Sequence, residues 1–591
     1  MRYGNRQTPV LPEQSFPIPP FTKSAFLNTG PDAHYVGIET CKSCHAERYE
    51  SYLLTPHSRA LADVDAKMEP PDARFEHKAS GRSFRVYRQG DQFRHEEWLR
   101  TADGREIGRI DLPVRYRIGS GNFTRSFLVE VDGFLHESPL TWYTSRQSWD
   151  LSPGYDFPMH ASFERPVTIG CLSCHSGRAD AQDGAVHRFA IREHSIGCES
   201  CHGPGSLHVD YYRAGNRTAA EDRTIVNPGK ISRTEQESVC AACHLNSVAT
   251  VYLRGRGVHD FRPGMALSDV RVDYRFDSGT ERMKVVGHIE QLRRSFCYQK
   301  SNDLSCLTCH DPHAGAKPKD SVAFYRQKCL NCHSLEACRL APAERRKRDS
   351  QDNCMACHMP RGNTDIPHVA FTHHRIGRHA ETPEPVSQRV PELVPIGDVS
   401  RLSELDQKRN LGLAYLSLLT SSDTQPAQAV TFRQRARELL QFVDKSNLRD
   451  GPTAAGLAAL AWNDKDFPAA AAFARKALET NDLRAEEHAD VLLIQANCSI
   501  QEKRYDRAIE TLTELIKLRR YSGDWRLLGM CYLEQADLPK ALAAFRQALA
   551  IRPWRADVHL GLEQVYRRMG DERSAAQEHE LAQWLTEHGQ R

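Results

Sequence analysis

Residues 196–208 read IGCESCHGPGSLH and contain the pattern Cys-x-x-Cys-His at Cys198, Cys201 and His202. This pattern occurs seven times in the chain, whereas random placement of 18 Cys and 27 His among 591 residues would produce about 0.025 copies. Two cysteines at this spacing can form thioethers with the two vinyl groups on one porphyrin edge, and the adjacent histidine can ligate the iron. The pattern therefore predicts covalent attachment of haem c.

Seven copies of the pattern predict seven covalent haems. The cysteines expected to hold the porphyrins are Cys41, Cys44, Cys171, Cys174, Cys198, Cys201, Cys240, Cys243, Cys306, Cys309, Cys329, Cys332, Cys354 and Cys357. The histidines expected to ligate the irons on the proximal side are His45, His175, His202, His244, His310, His333 and His358. Below, the motifs are numbered first to seventh in this order.

Two other chemistries use Cys-x-x-Cys pairs. Zinc knuckles do so, but they normally work in twos, seven is an odd number, and zinc does not require a histidine after every second cysteine. Thioredoxin-type dithiols also use the pair, but seven of them on one chain, each followed by His, would have no purpose. Haem c is the interpretation that explains the whole pattern.

A second axial ligand is available for every haem. The chain holds 23 histidines up to His379, so 16 remain after the seven proximal ones. His313 follows His310 in an Asp-Pro turn and is too close to fold back on the same iron, so we expect it to reach a neighbouring haem; His208, behind Gly-Pro-Gly, follows the same logic. The candidate distal ligands are His57, His160, His194, His208, His288, His313, His368 and His374. The histidines expected to be surface or packing residues are His34, His77, His95, His136, His187, His259, His373 and His379.

Charge and cysteine chemistry restrict the partners and the compartment. The formal net charge of +3 implies neither a nucleic-acid nor a membrane-surface partner, and no run of 18 apolar residues encodes a membrane anchor. Haem c is attached outside the cytoplasm, so we expect a periplasmic or extracellular protein. The first 30 residues contain no apolar run of the kind that a secretory signal needs, so we expect the export signal to lie outside this sequence. The oligomeric state stays open.

Composition divides the first 403 residues into an arm, a haem domain with a β insertion, and a linker. Residues 1–33 are rich in Pro and are expected to form an extended arm that either wraps a neighbouring element or is disordered, and 34–380 form the seven-haem domain. Between the first and second motifs, alternating residues and the Asp-Gly pairs at 103–104 and 132–133 predict an antiparallel β insertion over about 72–150. This insertion is expected to cover the first haem or to offer a substrate or partner surface. A Pro-rich linker follows at 381–403.

Residues 404–591 change to an Ala, Leu, Glu and Arg composition with a 34-residue period. The signature positions of a tetratricopeptide repeat are occupied by Trp525, Leu528, Gly529, Tyr532, Ala541, Phe545, Ala548 and Pro553. We expect four to five helix pairs, with Cys498 and Cys531 as inert core thiols. The predicted fold is thus mainly α: a haem-packed domain with an antiparallel β insertion, followed by an α-solenoid.

Several segments also resemble a known family. They are Thr55-Pro56-His57-Ser58, residues 196–205 with His208, Ser295-Phe296-Cys297 before the fifth motif with His313, and residues 368–376. Over about 40–60 and 165–380 the chain resembles the doubled CXXCH, cytochrome c-554-like cytochromes, in the version joined to tetratricopeptide repeats. The resemblance implies mostly bis-histidine haems in closely stacked pairs that pass electrons. This chain departs from the tetrahaem members in its seven motifs, its β insertion and its repeats.

Three functional interpretations follow, and whether the chain is an enzyme stays open. Two histidine ligands leave iron without a vacant site, which suits one-electron relay, with the repeats docking a redox partner or simply packing on the haem domain. The second interpretation is a reductase acting on a small nitrogen or sulfur oxyanion at a pentacoordinate haem near the β insertion. The third treats the repeats as the functional part and the haems as structural staples. The spare thiols Cys297 and Cys338 could form a disulfide.

Overall fold

The computed structural model describes residues 16–216, 222–245, 247–277, 287–314, 319–362, 372–379, 390–421 and 424–588. The candidate ligand His368, the first part of the predicted arm and part of the predicted linker lie outside these ranges. None of the helices in the described ranges combines the length and the apolar character needed to cross a bilayer.

The predicted antiparallel sheet is present within the described range 16–216 and has eight strands. Their order is β2-β3-β4-β5-β6-β7-β8, with β1 paired to β5. The strands are β1 Leu61–Asp63, β2 Ala73–His77, β3 Arg82–Gln89, β4 Gln92–Arg100, β5 Glu106–Ile118, β6 Thr124–Val131, β7 Phe134–Tyr143 and β8 Ser148–Leu151. The sheet starts earlier than expected because β1 has only three residues, too few for a recognisable alternation.

Turn chemistry explains the register of the central hairpin. Asp132 and Gly133 both have positive φ, 55° and 78°, as a type I′ turn requires, and Val131 pairs with Phe134 across β6 and β7. Successive side chains of a strand point to opposite faces, so the inward residues of several strands meet in one apolar cluster that includes the fully buried Phe84. The sheet therefore has a core of its own.

The motifs lie on or beside short helices, as the dense Gly and Pro punctuation predicts. The helices of this region are α1 Ile38–Leu53, α2 Ile169–His175, α3 Glu199–His202, α4 Ser206–Arg213, α5 Arg233–His244, α6 His288–Arg293, α7 Phe296–Lys300, α8 Cys306–Cys309, α9 Ser321–Leu330, α10 Pro342–Arg348 and α11 Cys354–His358. Four of them, α2, α3, α5 and α11, end at the motif histidine, so the imidazole lies at the helix C-terminus.

Two small sheets accompany these helices. One pairs β9 Arg178–Ala181 with β10 Phe189–Glu193, and the other contains β11 Ala249–Tyr252, β12 Arg271–Phe276 and β13 Leu393–Pro395. The sequence places β13 in the Pro-rich linker, yet it is an edge strand of its sheet. An edge strand tolerates Pro because one side of its backbone needs no ladder hydrogen bond.

The C-terminal region is a helical repeat domain. Between residues 404 and 588, the described part of the chain forms five helix pairs. The ten helices are α12 Glu404–Leu418, α13 Pro426–Asp444, α14 Gly451–Asn463, α15 Phe467–Leu478, α16 Ala485–Gln501, α17 Tyr505–Leu518, α18 Ser522–Glu534, α19 Leu538–Ile551, α20 Ala556–Met569 and α21 Glu572–Glu587. Gly529 of α18 faces the ring of Phe545 of α19 so closely that a Cβ atom there would lie 2.9 Å from it. Cys498 and Cys531 are buried, and burial raises the pKa of both thiols to about 11.

One edge of the repeat domain packs against the large sheet. The guanidinium of Arg82 lies 4.5 Å from the ring centroid of Trp554, and it also pairs with Glu97 at 3.0 Å. The backbone N–H of Ser522 donates a hydrogen bond to the carboxylate of Glu164 at 2.6 Å. The loop before α20 and the start of α18 therefore join the repeats to the sheet and to the segment that follows it, and this edge is an internal interface.

The described part of the N-terminal arm, residues 16–33, lies along the region that holds the third and fourth motifs. The backbone N–H of Thr22 donates to the carboxylate of Asp269 at 2.8 Å. The amide of Asn28 donates to the carbonyl of His202 at 2.9 Å. This part of the arm therefore contacts a motif directly.

Candidate functional site

A single cavity of about 4550 Å³ connects all seven motifs. Its lining includes every one of the fourteen motif cysteines and all seven motif histidines. Ordinary ligand pockets measure about 300–1,000 Å³, so this cavity has room for several large cofactors. The chain thus gathers motifs that are spread over more than three hundred residues into one internal space.

Sulfur atoms of different motifs lie next to one another in this cavity. The cysteine side chains that approach one another are Cys41 with Cys198, Cys174 with Cys243, Cys240 with Cys306, and Cys329 with Cys354. Helices α2 and α3, which carry the second and third motifs, both contact α5 of the fourth motif, and α8 of the fifth motif contacts α9, which reaches the sixth. These contacts connect the motifs in the order first, third, fourth, fifth, sixth and seventh, with the second motif beside the fourth.

Four motif histidines face a second histidine ring across the cavity, counted among the described residues. Because a metal–imidazole bond is about 2.0–2.1 Å long, two imidazoles on opposite sides of one iron have ring centroids about 6 Å apart. The observed centroid distances are 6.3 Å for His45 and His208, 5.9 Å for His202 and His313, 6.1 Å for His244 and His57, and 6.3 Å for His310 and His374. Each of these separations can accommodate one iron atom.

Hydrogen bonds at Nδ1 orient several of these rings. The Nδ1 atoms of His202 and His374 lie 2.8 and 2.9 Å from backbone carbonyl oxygens, and Nδ1 of His208 lies 2.8 Å from the carboxylate of Asp222. A carbonyl oxygen can only accept, so Nδ1 must carry the proton, and Nε2 keeps the lone pair that a metal needs. The fold therefore selects the tautomer that can bind iron.

Burial keeps the imidazoles of the cavity neutral. It lowers the pKa of His244 to about 4, and it lowers the pKa of His57, His202, His310 and His374 below the usual value. An imidazole must be deprotonated at one nitrogen before it can ligate a metal. At neutral pH these rings are already in that state.

The distal candidate His288 lines the cavity beside two of these rings. Its ring centroid is only 4.3 Å from that of His374, too close for the two to ligate one iron from opposite sides, and it is 5.6 Å from that of His244. His244 thus has two histidine neighbours, of which His57 lies at the separation that matches the other pairs.

Two other distal candidates lie in different surroundings. His160 is fully buried in the large-sheet region, 3.4 Å from Arg82, and burial lowers its pKa to about 2. His194 lies 3.1 Å from the carboxylate of Asp63. The described lining of the cavity includes neither His160 nor His194.

Glu199 is a site residue that sequence reasoning did not identify. It is one of the two variable positions of the third motif, and it is 2% exposed. Its carboxylate accepts hydrogen bonds from the backbone N–H groups of Val36, Gly37 and Gly205 at 2.9, 2.8 and 2.7 Å. It therefore ties the start of α1, which carries the first motif, to the third motif.

Two of the histidines expected to be surface or packing residues, His259 and His379, also line the cavity. Nε2 of His379 lies 3.2 Å from the carbonyl oxygen of His358. No local sequence signal marks this position or that of Glu199, because both depend on segments that only the fold brings together.

The spare cysteines are not joined to each other. Cys297 and Cys338 both line the cavity, and both are free thiols. The suggested disulfide between them is therefore not formed.

The donor set fits haem better than zinc. A structural zinc site needs four converging ligands, whereas a covalent haem needs two cysteines on one side and one or two imidazoles on the iron. Among the described residues, no three His, Cys, Asp or Glu side chains converge on a point that could hold a metal ion alone. Cysteine pairs beside opposed histidine rings, in a cavity of this size, match the requirements of haem c.

Comparison with known proteins agrees with this chemistry. The family model for the doubled CXXCH motif matches residues 300–337, and the model for cytochrome c554 and c-prime matches residues 40–83 and 158–203. No curated protein matches the chain. Similar solved structures include MamA AMB-1, with 18% identity over 31% of this chain and 92% of that chain and a TM-score of 0.26. MamA MSR-1 has 18% identity over 31% of this chain and 98% of that chain, with a TM-score of 0.27.

The family matches cover the first, second, third, fifth and sixth motifs. They rest on the same cysteines and histidines that line the cavity. Over those segments the chain is similar to the cytochrome c554 and doubled CXXCH families, and together with the motifs this supports a multihaem c-type cytochrome that binds haem c covalently and carries helical repeats at its C-terminus.

Proposed function

We propose that this chain is a seven-haem cytochrome that transfers single electrons. The observation that carries the proposal is the one cavity lined by all seven motifs, in which four motif histidines face a second histidine at the separation that one iron requires. We assign the seven haems to residues 34–380, with 1–33 as an arm, 381–403 as a linker and 404–591 as the repeat domain. The fourteen motif cysteines hold the porphyrins in this proposal.

The axial ligands follow from the ring pairs. The assigned pairs, with the distal ligand second, are His45 with His208, His202 with His313, His244 with His57, and His310 with His374. In every pair the two histidines come from different motifs or their flanks. The ligands thus join distant parts of the chain.

Haem c supplies a reversible one-electron change at its iron when it is bound. The residues of this chain hold that group in place. Nδ1 hydrogen bonds at His202, His208 and His374 fix the orientation of these rings. Arginines of the cavity lining, such as Arg213 and Arg378, provide cations for the haem carboxylates.

The repeat domain is assigned a protein-docking role on faces away from the large sheet. Met530 of α18 and Leu560 of α20 are 37% and 42% exposed on neighbouring first helices of successive pairs. Exposed apolar side chains on adjacent helices are typical of surfaces that bind a peptide or helix. Attachment of haem c outside the cytoplasm places the protein in the periplasm or outside the cell in this proposal.

The test is an electron paramagnetic resonance spectrum and a potentiometric titration of full-length protein matured in an export-competent host. The proposal predicts low-spin ferric signals and reversible one-electron reductions of all haems. A dominant high-spin ferric signal that changes on addition of nitrite would contradict electron relay as the main role. That result would favour reduction of a small oxyanion instead.

A further inference from the structure

Positive charge is concentrated at the sixth and seventh motifs. Residues 319–362 contain nine Lys and Arg against five Asp and Glu, a net charge of +4, whereas the whole chain of 591 residues has a net charge of +3. The rest of the protein is therefore close to neutral. A charge surplus of this size on one short segment creates a local field that attracts anionic surfaces.

Part of this charge serves the local structure. Arg345 and Arg326 both bind the carboxylate of Asp352, at 2.7 and 2.9 Å. Arg339 and Arg348 line the cavity, where the proposed function assigns arginines to the haem carboxylates. By contrast, Arg346 and Lys347 of α10 are exposed and form no ion pair with any residue that the structure describes. The described lining of the cavity does not include them, so their charges do not point at the haem carboxylates. These two residues face the solvent.

Apolar side chains belong to the same segment. Phe324, Leu335 and Leu340 are 39%, 46% and 36% exposed. Leu335 and Leu340 also line the cavity, as do the exposed Cys332 and Cys357, so these four residues lie at its mouth. Apolar residues with a charged margin are the usual composition of a transient protein interface.

The position of this segment in the protein adds a reason for docking. In the series of contacts between motifs, α9 of the sixth motif contacts α8 of the fifth motif on one side and α11 of the seventh motif on the other. The sixth and seventh motifs thus lie at one end of the series. A partner that contacts this end approaches the terminal haems of the series.

We propose that residues 319–362 form a docking surface for an acidic redox protein. The surface consists of the solvent-facing Arg346 and Lys347, the exposed Phe324, and Leu335 and Leu340 at the mouth of the cavity, and it is called the basic end surface here. Charge complementarity selects the partner: carboxylates around an exposed prosthetic group match the solvent-facing cations of α10, while the apolar residues exclude water. The proposal deepens the proposed function and rests on it.

The test uses the charge-reversal variant R346E/K347E of the full-length, haem-loaded protein. Its matched control is R507E/R573E, which reverses two exposed charges on α17 and α21 of the repeat domain. The probes are an acidic flavodoxin and a basic cytochrome c, and the dissociation constants are measured by biolayer interferometry at low and high salt. We expect R346E/K347E to weaken flavodoxin binding about tenfold or more at low salt, with the difference shrinking near about 0.5 M salt.

Three results would overturn the docking surface: unchanged flavodoxin affinity in R346E/K347E, an equal loss in R507E/R573E, or tighter binding of the wild-type protein to basic cytochrome c than to flavodoxin. Binding to vesicles that contain phosphatidylglycerol is measured as well, because an anionic lipid surface also attracts cations. Loss of vesicle binding in R346E/K347E with flavodoxin binding intact would overturn a protein partner at this surface. Haem content and reduction by dithionite are measured on every variant, so failure of the proposed function itself is recognised separately.

Discussion

The imidazole rings of His202 and His313 lie nearly parallel, at an interplanar angle of 20°, with centroids 5.9 Å apart. His202 belongs to the third motif, whereas His313 follows the fifth. The same arrangement recurs for His45 and His208, where the second ring follows the third motif. The histidine pairs therefore join different motifs, and we expect the haem domain to fold as one unit rather than as seven independent modules.

Replacement of His313 by Ala tests this interlocking. We expect H313A to retain all its haems, because the cysteines of the third motif are intact, but to convert one low-spin haem to a high-spin state. Electron paramagnetic resonance and optical spectra, with haem quantitation, measure the change. The control is H194A, since His194 pairs with Asp63 and is not part of the described cavity lining. A purely low-spin spectrum for H313A would contradict the assignment of His313 as the distal ligand opposite His202.

The buried ion pair of Arg82 and Glu97 predicts a difference between single and double variants. Both side chains are fully buried and lie 3.0 Å apart at the interface between the large sheet and Trp554. R82L leaves the Glu97 carboxylate without this cation, so we expect a loss of about 3–5 kcal/mol in the free energy of unfolding. The double variant R82L/E97L is expected to lose less. Urea unfolding followed by tryptophan fluorescence measures both, and an equal or larger loss in the double variant contradicts this role of the pair.

The buried histidines of the large-sheet region predict that acid destabilises it. Burial lowers the pKa of His160 to about 2 and that of His95 to about 3, whereas an unfolded histidine has a pKa of about 6.5. Above pH 6.5 both states are neutral and stability is unaffected. Below it, the unfolded chain takes up protons that the folded chain cannot, so stability falls, by about 2 kcal/mol for His160 at pH 5.

The variant H160Q separates this contribution from other effects of acid. We expect the difference in unfolding free energy between pH 7 and pH 5 to be smaller in H160Q than in the wild-type protein. Urea unfolding at the two pH values measures it. H488Q is the control, because His488 is partly exposed in the repeat domain. The same pH difference in H160Q and wild type would show that His160 is not held neutral by burial.

Two glycines of α18 differ in what a methyl group would meet. In G529A the new Cβ would lie 2.9 Å from the ring of Phe545, so we expect a loss of about 1–3 kcal/mol. In G523A the nearest neighbour is the flexible end of Arg555 at 3.4 Å, and Ala favours a helix, so we expect no loss or a gain of up to about 1 kcal/mol. Thermal unfolding followed at 222 nm compares the two. Equal effects would contradict the repeat packing.

Local signals allowed much of the architecture to be predicted from sequence. Three features depend only on residues that are close together in the chain: the Cys-x-x-Cys-His motifs, the Asp132-Gly133 turn and the repeat positions around Trp525. They can therefore be recognised from the sequence alone. Ligand pairing does not have this property. His57 faces His244 only because the fold brings the segment after α1 and the end of α5 to one cavity.

The same limit explains the other differences. His160 and His194 are candidate ligands by sequence, but the sheet buries His160 beside Arg82, and His194 pairs with Asp63. Glu199 acts through backbone N–H groups that belong to a distant segment. Strand β13 forms because it pairs with the free edge of β12, and its Pro-rich sequence does not predict this pairing. Tertiary contacts determine each of these features.

The central claim is that porphyrin is covalently attached at all seven motifs. Intact-mass analysis of full-length protein matured in an export-competent host tests it most directly, with a pyridine haemochrome assay on the same sample. We predict a mass equal to the polypeptide plus seven haems and a matching haem absorbance. A mass equal to the bare polypeptide, without Soret absorbance, would contradict the claim.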